Sequence, residues 1–213
     1  MTDRAEVLTF IGDSITDGER RTDPRGLGGG YVDAIADELA ARGSSAIVLN
    51  RGISGDRVAH LRARWERDAL TPAPDVLTVF VGVNDTLVAF FEGRATPFGA
   101  FEEGLDDILS RSAELVGRLI VVEPFYLEGA ESADVHWREG SPFIREDLDR
   151  RRAIVRERAA AYGARLVVVQ DPLTALAAER GTATIAPDGV HPSATGHRWL
   201  ARAWLATYDA TTG

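Results

Sequence analysis

The stretch "TFIGDSITDGER", Thr9 to Arg20, changes from an apolar run to a small polar turn within a few residues. The run Val7–Ile11 is apolar on neighbouring rather than alternate positions, which is typical of a parallel strand buried on both faces. It stops at Gly12, Asp13 and Ser14. These residues predict either an ordinary strand-to-helix turn, or a turn that displays Ser14 as a nucleophile at the edge of a sheet.

Four further runs of this kind follow along the chain: Ala46–Leu49, Val76–Val81, Leu119–Val122 and Arg165–Val169. Segments with apolar residues at three-to-four spacing alternate with them and predict helices. These segments are Tyr31–Arg42, Arg57–Ala69, Ala100–Val116, Arg145–Tyr162 and Ala194–Tyr208. Such alternation indicates an α/β fold with helices on both faces of a parallel sheet. We expect a three-layer α/β/α, flavodoxin-like sandwich with a five-stranded parallel sheet, formed by residues 1–213 as a single domain.

The composition excludes several classes of function. The chain has 213 residues, 45% of them hydrophobic, and a formal net charge of −9, so it can bury a full core but lacks the basic surface typical of nucleic-acid binders. It contains no cysteine, which excludes disulfides and thiolate chemistry. Neither a secretory signal nor a membrane-spanning stretch stands out. We expect a cytoplasmic protein without nucleic-acid or membrane partners.

Polar residues stand where the predicted strands end. Ser14 follows the first strand, Gly52 the second and Asn84 the third. Asp188 and His191 lie in "DGVHP", just before the last helix. Ligands of doubly wound sheets bind beyond the carboxyl ends of the strands. The sequence therefore predicts that these five residues converge on one rim.

Together these residue types suit nucleophilic catalysis. Serine needs an adjacent base, and His191 is the best candidate. Asp188, three residues earlier, would share a face with His191 in a helical or 3₁₀ turn and could fix its tautomer. The oxyanion formed from an ester needs donors, which Ser14 N–H, Gly52 N–H and the Asn84 amide could supply. Alone, each residue has an ordinary alternative as a cap or a turn residue, so the prediction depends on their joint presence.

Four segments resemble the sequence blocks of the SGNH, or GDSL-type, hydrolases: "GDSITDG", "NRGISGD", "VGVND" and "DGVHP". Between them they span nearly the whole chain. The resemblance implies the SGNH hydrolase fold and ester hydrolysis. It implies Ser14 as the nucleophile, Gly52 and Asn84 as oxyanion donors, and Asp188 and His191 as the acid and the base.

Further segments, among them "GGGYV", "PFYLEG" and "HPSATGHRWLARAWL", resemble the intracellular acetylxylan esterases of that family. This resemblance implies removal of acetyl groups from sugar hydroxyls without a metal, with a small acetylated carbohydrate or another short-chain ester as partner. Residues 128–146 match the pattern least. A lysophospholipase, thioesterase or arylesterase would use the same machinery, and a non-catalytic carbohydrate-binding domain is the alternative outside enzymes.

Four residues are candidates for the substrate site. Asp13 lies beside Ser14 and is expected to brace the turn there. Tyr126 and Trp137 could offer flat apolar faces to a sugar ring. His136 lies next to Trp137 in an irregular segment. For each of them, packing or an ordinary loop position is the alternative.

Other residues compete for these roles. Ser54 also lies near a strand end, but its expected role is to cap the helix that follows it. Asp85, next to Asn84, is expected to be a helix cap or an Asx-turn. The helices that carry arginine and tryptophan leave the formation of a homo-oligomer open.

A metal cluster could be drawn from Asp13, Asp188, His191 and His197. No recognised ligand spacing relates these residues in the sequence. His197 lies well inside the last predicted helix and is expected to have a structural role. We therefore expect no metal and no other cofactor.

Overall fold

The computed structural model describes residues 4–93, 96–128 and 135–210, and for residues 135–141 it describes the backbone only. Five parallel strands form one sheet in the order β2-β1-β3-β4-β5. They are β1 (Val7–Gly12), β2 (Ile47–Asn50), β3 (Val76–Phe80), β4 (Arg118–Val122) and β5 (Arg165–Val167). The predicted five-stranded α/β fold is confirmed.

Helices connect the strands and cover both faces of the sheet. They are α1 (Ser14–Asp17), α2 (Tyr31–Ala41), α3 (Val58–Trp65), α4 (Val83–Glu92), α5 (Phe98–Ala113), α6 (Val135–Ala161), α7 (Gln170–Arg180), α8 (Thr182–Ile185) and α9 (Ala194–Asp209). A π-helical turn (Glu66–Leu70) extends α3. The predicted segments correspond to α2, α3 with this turn, α5, α6 and α9.

Helices α4 and α7 were not predicted, and α6 begins well before the expected Arg145. Helix α7 buries little more than Leu173 and Ala177, so it lacks a wide apolar face. The buried face of α4 includes the polar residues Asp85 and Thr86, which interrupt its apolar pattern. Helix α6 runs through Pro142, a residue that disfavours a helix interior because it has no N–H to donate.

Two apolar cores lie on opposite faces of the sheet, because neighbouring residues of a strand point to opposite sides. Phe10 packs against Trp204 of α9, with ring centroids 5.1 Å apart, whereas Ile11 belongs to the core around Trp65 of α3. Burial of each large apolar side chain contributes roughly 1.5–3 kcal/mol. Both indole N–H groups donate to buried hydroxyl oxygens, at 3.1 Å for Trp65 and 2.9 Å for Trp204.

The order of the strands determines where a ligand can bind. The chain passes from β1 to β2 on one side and then to β3 on the other side of β1. The crevice at such a switch point, beyond the carboxyl ends of the strands, is the usual ligand site of doubly wound sheets. The residues that follow β1, β2 and β3 therefore meet at one edge.

No helix within residues 4–93, 96–128 and 135–210 is long and apolar enough to cross a membrane. The longest helix, α6, has 27 residues, but its sequence carries charged residues throughout. Its length therefore does not make it a membrane span, since a span needs about 20 predominantly apolar residues.

Candidate active site

Ser14 opens helix α1 directly after β1. Asp13 is the N-cap of α1, and its Oδ1 accepts a hydrogen bond from Ile15 N–H at 3.0 Å. Because Ser14 is the first residue of the helix, its own N–H has no acceptor within the helix. Gly12 permits the turn, since a Cβ there would lie 2.3 Å from the Phe80 carbonyl oxygen on β3. The turn therefore packs tightly against β3 and holds the Ser14 N–H at the sheet edge.

The side chains of Ser14, His191 and Asp188 form one hydrogen-bonded series. Ser14 Oγ lies 2.9 Å from His191 Nε2, and His191 Nδ1 lies 2.6 Å from Asp188 Oδ2. Asp188 Oδ1 accepts the backbone N–H groups of Val190 at 2.9 Å and His191 at 2.7 Å. The structure thus brings these three predicted residues together, although 177 positions separate the serine from the histidine.

These hydrogen bonds set the charges of the site. The hydrogen bond and charge of Asp188 raise the pKa of His191 above its usual 6.5, against the opposing effect of burial. Burial alone would raise the pKa of Asp188, but the hydrogen bonds from His191 and the loop backbone lower it to about 2. An ionised Asp188 holds the proton of neutral His191 on Nδ1. His191 Nε2 is then able to accept the proton of Ser14 Oγ.

Asn84 lies in the first turn of α4, just beyond β3. Its Nδ2 donates to the Asp56 carbonyl oxygen at 3.0 Å, which fixes the orientation of the amide. A primary amide has two hydrogens, and in the described part of the chain no second acceptor is found. The remaining N–H is available to a ligand.

Gly52 follows β2 and packs against α1. A Cβ at this position would lie 2.2 Å from Asp17 N, so glycine is required by the approach of the loop to the helix. The Gly52 N–H donates to Asn50 Oδ1 at 2.9 Å. The missing Cβ therefore lets the loop pack against α1, and the N–H of Gly52, the predicted oxyanion donor, has an acceptor in Asn50.

Asn50 is a positioning residue that the sequence pattern did not single out. It is 4% exposed, and its Nδ2 donates to the carbonyl oxygens of Thr16 at 2.6 Å and Leu27 at 2.7 Å. Its Oδ1 accepts the Gly52 N–H. One buried amide thus joins the end of β2 to α1 and to the loop before α2. Its only signal in the sequence was a polar residue at the end of a strand.

Two residues expected at the substrate are buried. Asp13 is 0% exposed, and burial raises its pKa to about 7. Tyr126 is 7% exposed, and its ring lies against Gly189, where an added Cβ would be 2.9 Å from the ring. Asp13 braces the turn of Ser14 as expected, Tyr126 packs against the turn of His191, and the burial of both side chains disfavours direct contact with a substrate.

The other two candidates cannot be placed at the site. His136 and Trp137 lie in the first turn of α6, but their side chains are outside the described part of the structure. Residues 129–134 of the segment 128–146 also lie outside it. Phe125, next to Tyr126, is 0% exposed and belongs to the core.

Ser54 and Asp85 differ from their predicted roles as caps. Ser54 is exposed, and the N-cap of α3 is Arg57. Asp85 Oδ2 accepts the Val58 N–H at 3.2 Å, so Asp85 provides an acceptor for the first N–H group of α3. The N-cap of its own helix, α4, is Gly82. Burial raises the pKa of Asp85 to about 6. This capping connects two helices and has no signature in the local sequence.

His197 has a partner in the backbone. Its Nδ1 accepts the Tyr31 N–H at 3.2 Å, and burial lowers its pKa to about 4, which keeps the imidazole neutral. Asp13 likewise uses its Oδ1 to cap α1. Within the described residues, no group of three or more histidine, aspartate or glutamate side chains is arranged to hold a metal ion.

A groove of about 350 Å³ is lined in part by Asn84. Leu87 and Phe91 of α4 form one side, and Arg57 and His60 contribute polar groups. Phe91 is 53% exposed, which is unusual for a large aromatic residue. The groove therefore combines an aromatic face with polar groups next to Asn84.

The fold, with a hydrogen-bonded serine, histidine and aspartate at the edge of the sheet, is that of a hydrolase. The chain belongs to the GDSL-like lipase/acylhydrolase family, whose model matches residues 10–199. It is a carboxylic ester hydrolase.

The similar proteins include characterised esterases. An acetylxylan esterase of Geobacillus stearothermophilus is 33% identical over an alignment of 216 positions, which covers 94% of this chain and 92% of that protein. A crystal structure of an acetylxylan esterase from this organism matches with a TM-score of 0.84 and 32% identity, covering 99% of this chain and 98% of the other. An α/β hydrolase from the metagenome of Lake Arreo, Spain, matches with a TM-score of 0.84 and 28% identity over 99% of both chains.

Proposed function

We propose that this esterase removes acetyl groups from sugar hydroxyls through an acyl-enzyme on Ser14. The observation that carries the proposal is the series Ser14–His191–Asp188, with contacts of 2.9 and 2.6 Å, beside the available N–H groups of Ser14 and Asn84. A similar enzyme from Geobacillus stearothermophilus is an acetylxylan esterase. The catalytic mutants of an acetylxylan esterase from that organism replace a serine, an aspartate or a histidine, the same three residue types.

In the first step His191 Nε2 takes the hydroxyl proton of Ser14 while Oγ attacks the ester carbonyl carbon. The tetrahedral oxyanion accepts hydrogen bonds from Ser14 N–H and from the second N–H of Asn84. We infer that the Gly52 N–H, which donates to Asn50 Oδ1 at 2.9 Å, is shared with the oxyanion as a third, bifurcated donor. The C–O bond to the sugar then breaks, and His191 gives its proton to the leaving oxygen.

In the second step water attacks the acetyl-enzyme while His191 Nε2 takes one of its protons. The new oxyanion uses the same donors, and its collapse releases acetate and returns the proton to Ser14 Oγ. Asp188, with a pKa of about 2, stays ionised throughout and stabilises the imidazolium in each step.

The groove beside Asn84 supports a sugar as the leaving group. A sugar ring packs well against a flat aromatic face while its hydroxyls need polar partners. Phe91 supplies such a face, and Arg57 and His60 supply the polar groups. We place the sugar in this groove.

Alanine variants of Ser14 and His191 test the mechanism. Both should lower the rate of p-nitrophenyl acetate hydrolysis by at least about 10³-fold, because the two side chains act as a unit. Ser54→Ala, which changes an exposed serine in a neighbouring loop, should keep the wild-type rate. Wild-type protein that hydrolyses neither aryl acetates nor acetylated xylo-oligosaccharides would overturn the proposal.

The substrate class needs a separate measurement. Acetyl esters should be preferred to octanoyl esters in kcat/KM. Phe91→Ala should raise the KM for acetylated xylo-oligosaccharides several-fold and leave p-nitrophenyl acetate hydrolysis nearly unchanged, because the aryl acetate carries no sugar. A preference for octanoyl esters would instead assign the chain to the hydrolases of longer acyl groups.

A further inference from the structure

Arg64 of α3 is a buried cation beneath the candidate active site. It is 8% exposed, and its guanidinium makes four hydrogen bonds. Nη2 donates to the Gly12 carbonyl oxygen at 3.2 Å and Nη1 to that of Arg51 at 2.7 Å. Nε donates to Asp56 Oδ2 at 2.8 Å, and Nη1 also donates to Asp68 Oδ2 at 3.0 Å. The contacts with Gly12 and Arg51 reach segments that carry a proposed oxyanion donor, and the contact with Asp56 reaches the residue that orients the third donor, Asn84.

The contact with Arg51 acts on the peptide of Gly52. The Arg51 carbonyl and the Gly52 N–H belong to the same trans peptide and point in opposite directions. A guanidinium on the carbonyl oxygen therefore fixes the direction of the N–H on the other side. It also polarises the peptide, which makes the N–H a stronger donor.

The contacts with Asp56 and Gly12 act indirectly, on Asn84 and Ser14 respectively. The carboxylate of Asp56 accepts from Arg64, while the Asp56 carbonyl oxygen holds the Asn84 amide at 3.0 Å. The contact with Gly12 holds the end of β1, two residues before Ser14. The same side chain therefore connects the ends of β1 and β2 with the loop that orients Asn84.

We propose that Arg64 is a positioning residue that keeps the three oxyanion donors directed at one point, an inference that rests on the proposed function. The planar guanidinium reaches several acceptors in fixed directions, which the point charge of lysine cannot do. Asp56 and Asp68 balance its charge in the buried site. Misplacement of catalytic groups by about 1 Å can lower a rate by about 10²-fold.

Kinetics of Arg64→Lys with p-nitrophenyl acetate test this role. We expect kcat to fall by about 10- to 100-fold with little change in KM, because the oxyanion forms only after binding. Arg67→Lys is the matched control, since Arg67 also contacts Asp68 but its side chain is 74% exposed. If Arg64→Lys does not fold, Asp56→Asn replaces it, because this change weakens the link to Asn84 and keeps the arginine.

A double-mutant cycle separates positioning from a merely structural role. If Arg64 acts through the donors, the loss in Arg64→Lys combined with Asn84→Ala should be clearly smaller than the product of the two single losses, because the part of the Arg64 effect that acts through Asn84 is already gone. The inference is overturned if the losses of the two single variants multiply, or if both Arg64→Lys and Asp56→Asn keep the wild-type kcat. The proposed function survives either result as long as Ser14→Ala is inactive. Activity retained in Ser14→Ala would overturn the proposed function and this inference with it.

Discussion

The contact between Asp188 and His191 sets the pH range in which the site can work. In the proposed mechanism His191 must be neutral to accept the proton of Ser14, and Asp188 raises the pKa of His191 above 6.5. We therefore expect kcat/KM to rise with pH through a midpoint above 6.5. Asp188→Asn should move this midpoint to lower pH and lower kcat by up to about 10⁴-fold, because the tautomer is lost.

The pH–rate profile of kcat/KM measures this shift, since it reports groups of the free enzyme. Asp171→Asn is a matched control, because Asp171 is an exposed aspartate of α7. A midpoint that stays unchanged in Asp188→Asn would contradict the assigned role of the carboxylate.

The Asn84 amide should act mainly on kcat. Loss of a side-chain oxyanion donor costs about 10²–10³-fold in turnover in other serine hydrolases. We expect a loss of this size in Asn84→Ala with nearly unchanged KM, because in the proposed mechanism the amide binds the oxyanion and not the ground state. Steady-state kinetics with a thermal melt of the same sample distinguish this result from unfolding. An equal rise in KM at constant kcat would show ordinary substrate binding instead.

The contact between the β2–α3 loop and α1 depends on Gly52. A Cβ at this position would lie 2.2 Å from Asp17 N, so Gly52→Ala must push the loop away from the helix. Overpacking of this kind typically destabilises by about 1–3 kcal/mol. We expect this loss in the free energy of unfolding, together with a fall in kcat, because the Gly52 N–H and α1 move apart.

Gly99→Ala makes the same substitution where no atom lies within 4 Å of the added Cβ. It lies in α5 and should leave activity unchanged and stability equal or slightly higher, since alanine favours helices by up to about 1 kcal/mol over glycine. Urea unfolding of both variants makes the comparison. Equal stabilities and rates would show that the close approach at Gly52 is not needed.

Elements with a clear apolar pattern were predictable, and elements held by long-range polar contacts were not. The strands have continuous apolar runs, and α9 has a wide apolar face. The start of α7 depends on Glu123, whose Oε1 accepts the N–H groups of Val169 at 2.7 Å and Gln170 at 2.8 Å from the end of β4. The sequence of α7 itself does not indicate this cap, because Glu123 lies more than 40 residues away in the chain.

The same distinction holds for the site. Parallel strands share an edge, so the sequence was sufficient to expect Ser14, Asn84 and His191 close together. Asn50 and Arg64 were missed because a buried amide or guanidinium is recognised only by the acceptors around it. These acceptors are mainly backbone carbonyls, which carry no sequence signal.

The stability of the whole molecule should depend on pH through its buried carboxyls. Burial raises the pKa of Asp13 from 3.8 to about 7 and that of Asp85 to about 6. Such groups favour the native state while they are protonated. Their contribution is fully present below the unfolded pKa and is lost as pH rises through the native pKa. Asp188, with a lowered pKa of about 2, has the opposite effect and loses its contribution only in acid.

Asp13→Asn isolates the largest of these shifts. Asparagine is also a good N-cap, so α1 keeps its start, while the group that titrates near pH 7 is removed. From pH 5 to pH 8 the wild type should lose about 2–3 kcal/mol through Asp13 that the variant does not lose. Denaturant unfolding at both pH values measures this difference, with Asp37→Asn as a control at a side chain that is 62% exposed. A variant whose stability falls as steeply as that of the wild type would show that Asp13 is already ionised in the folded protein.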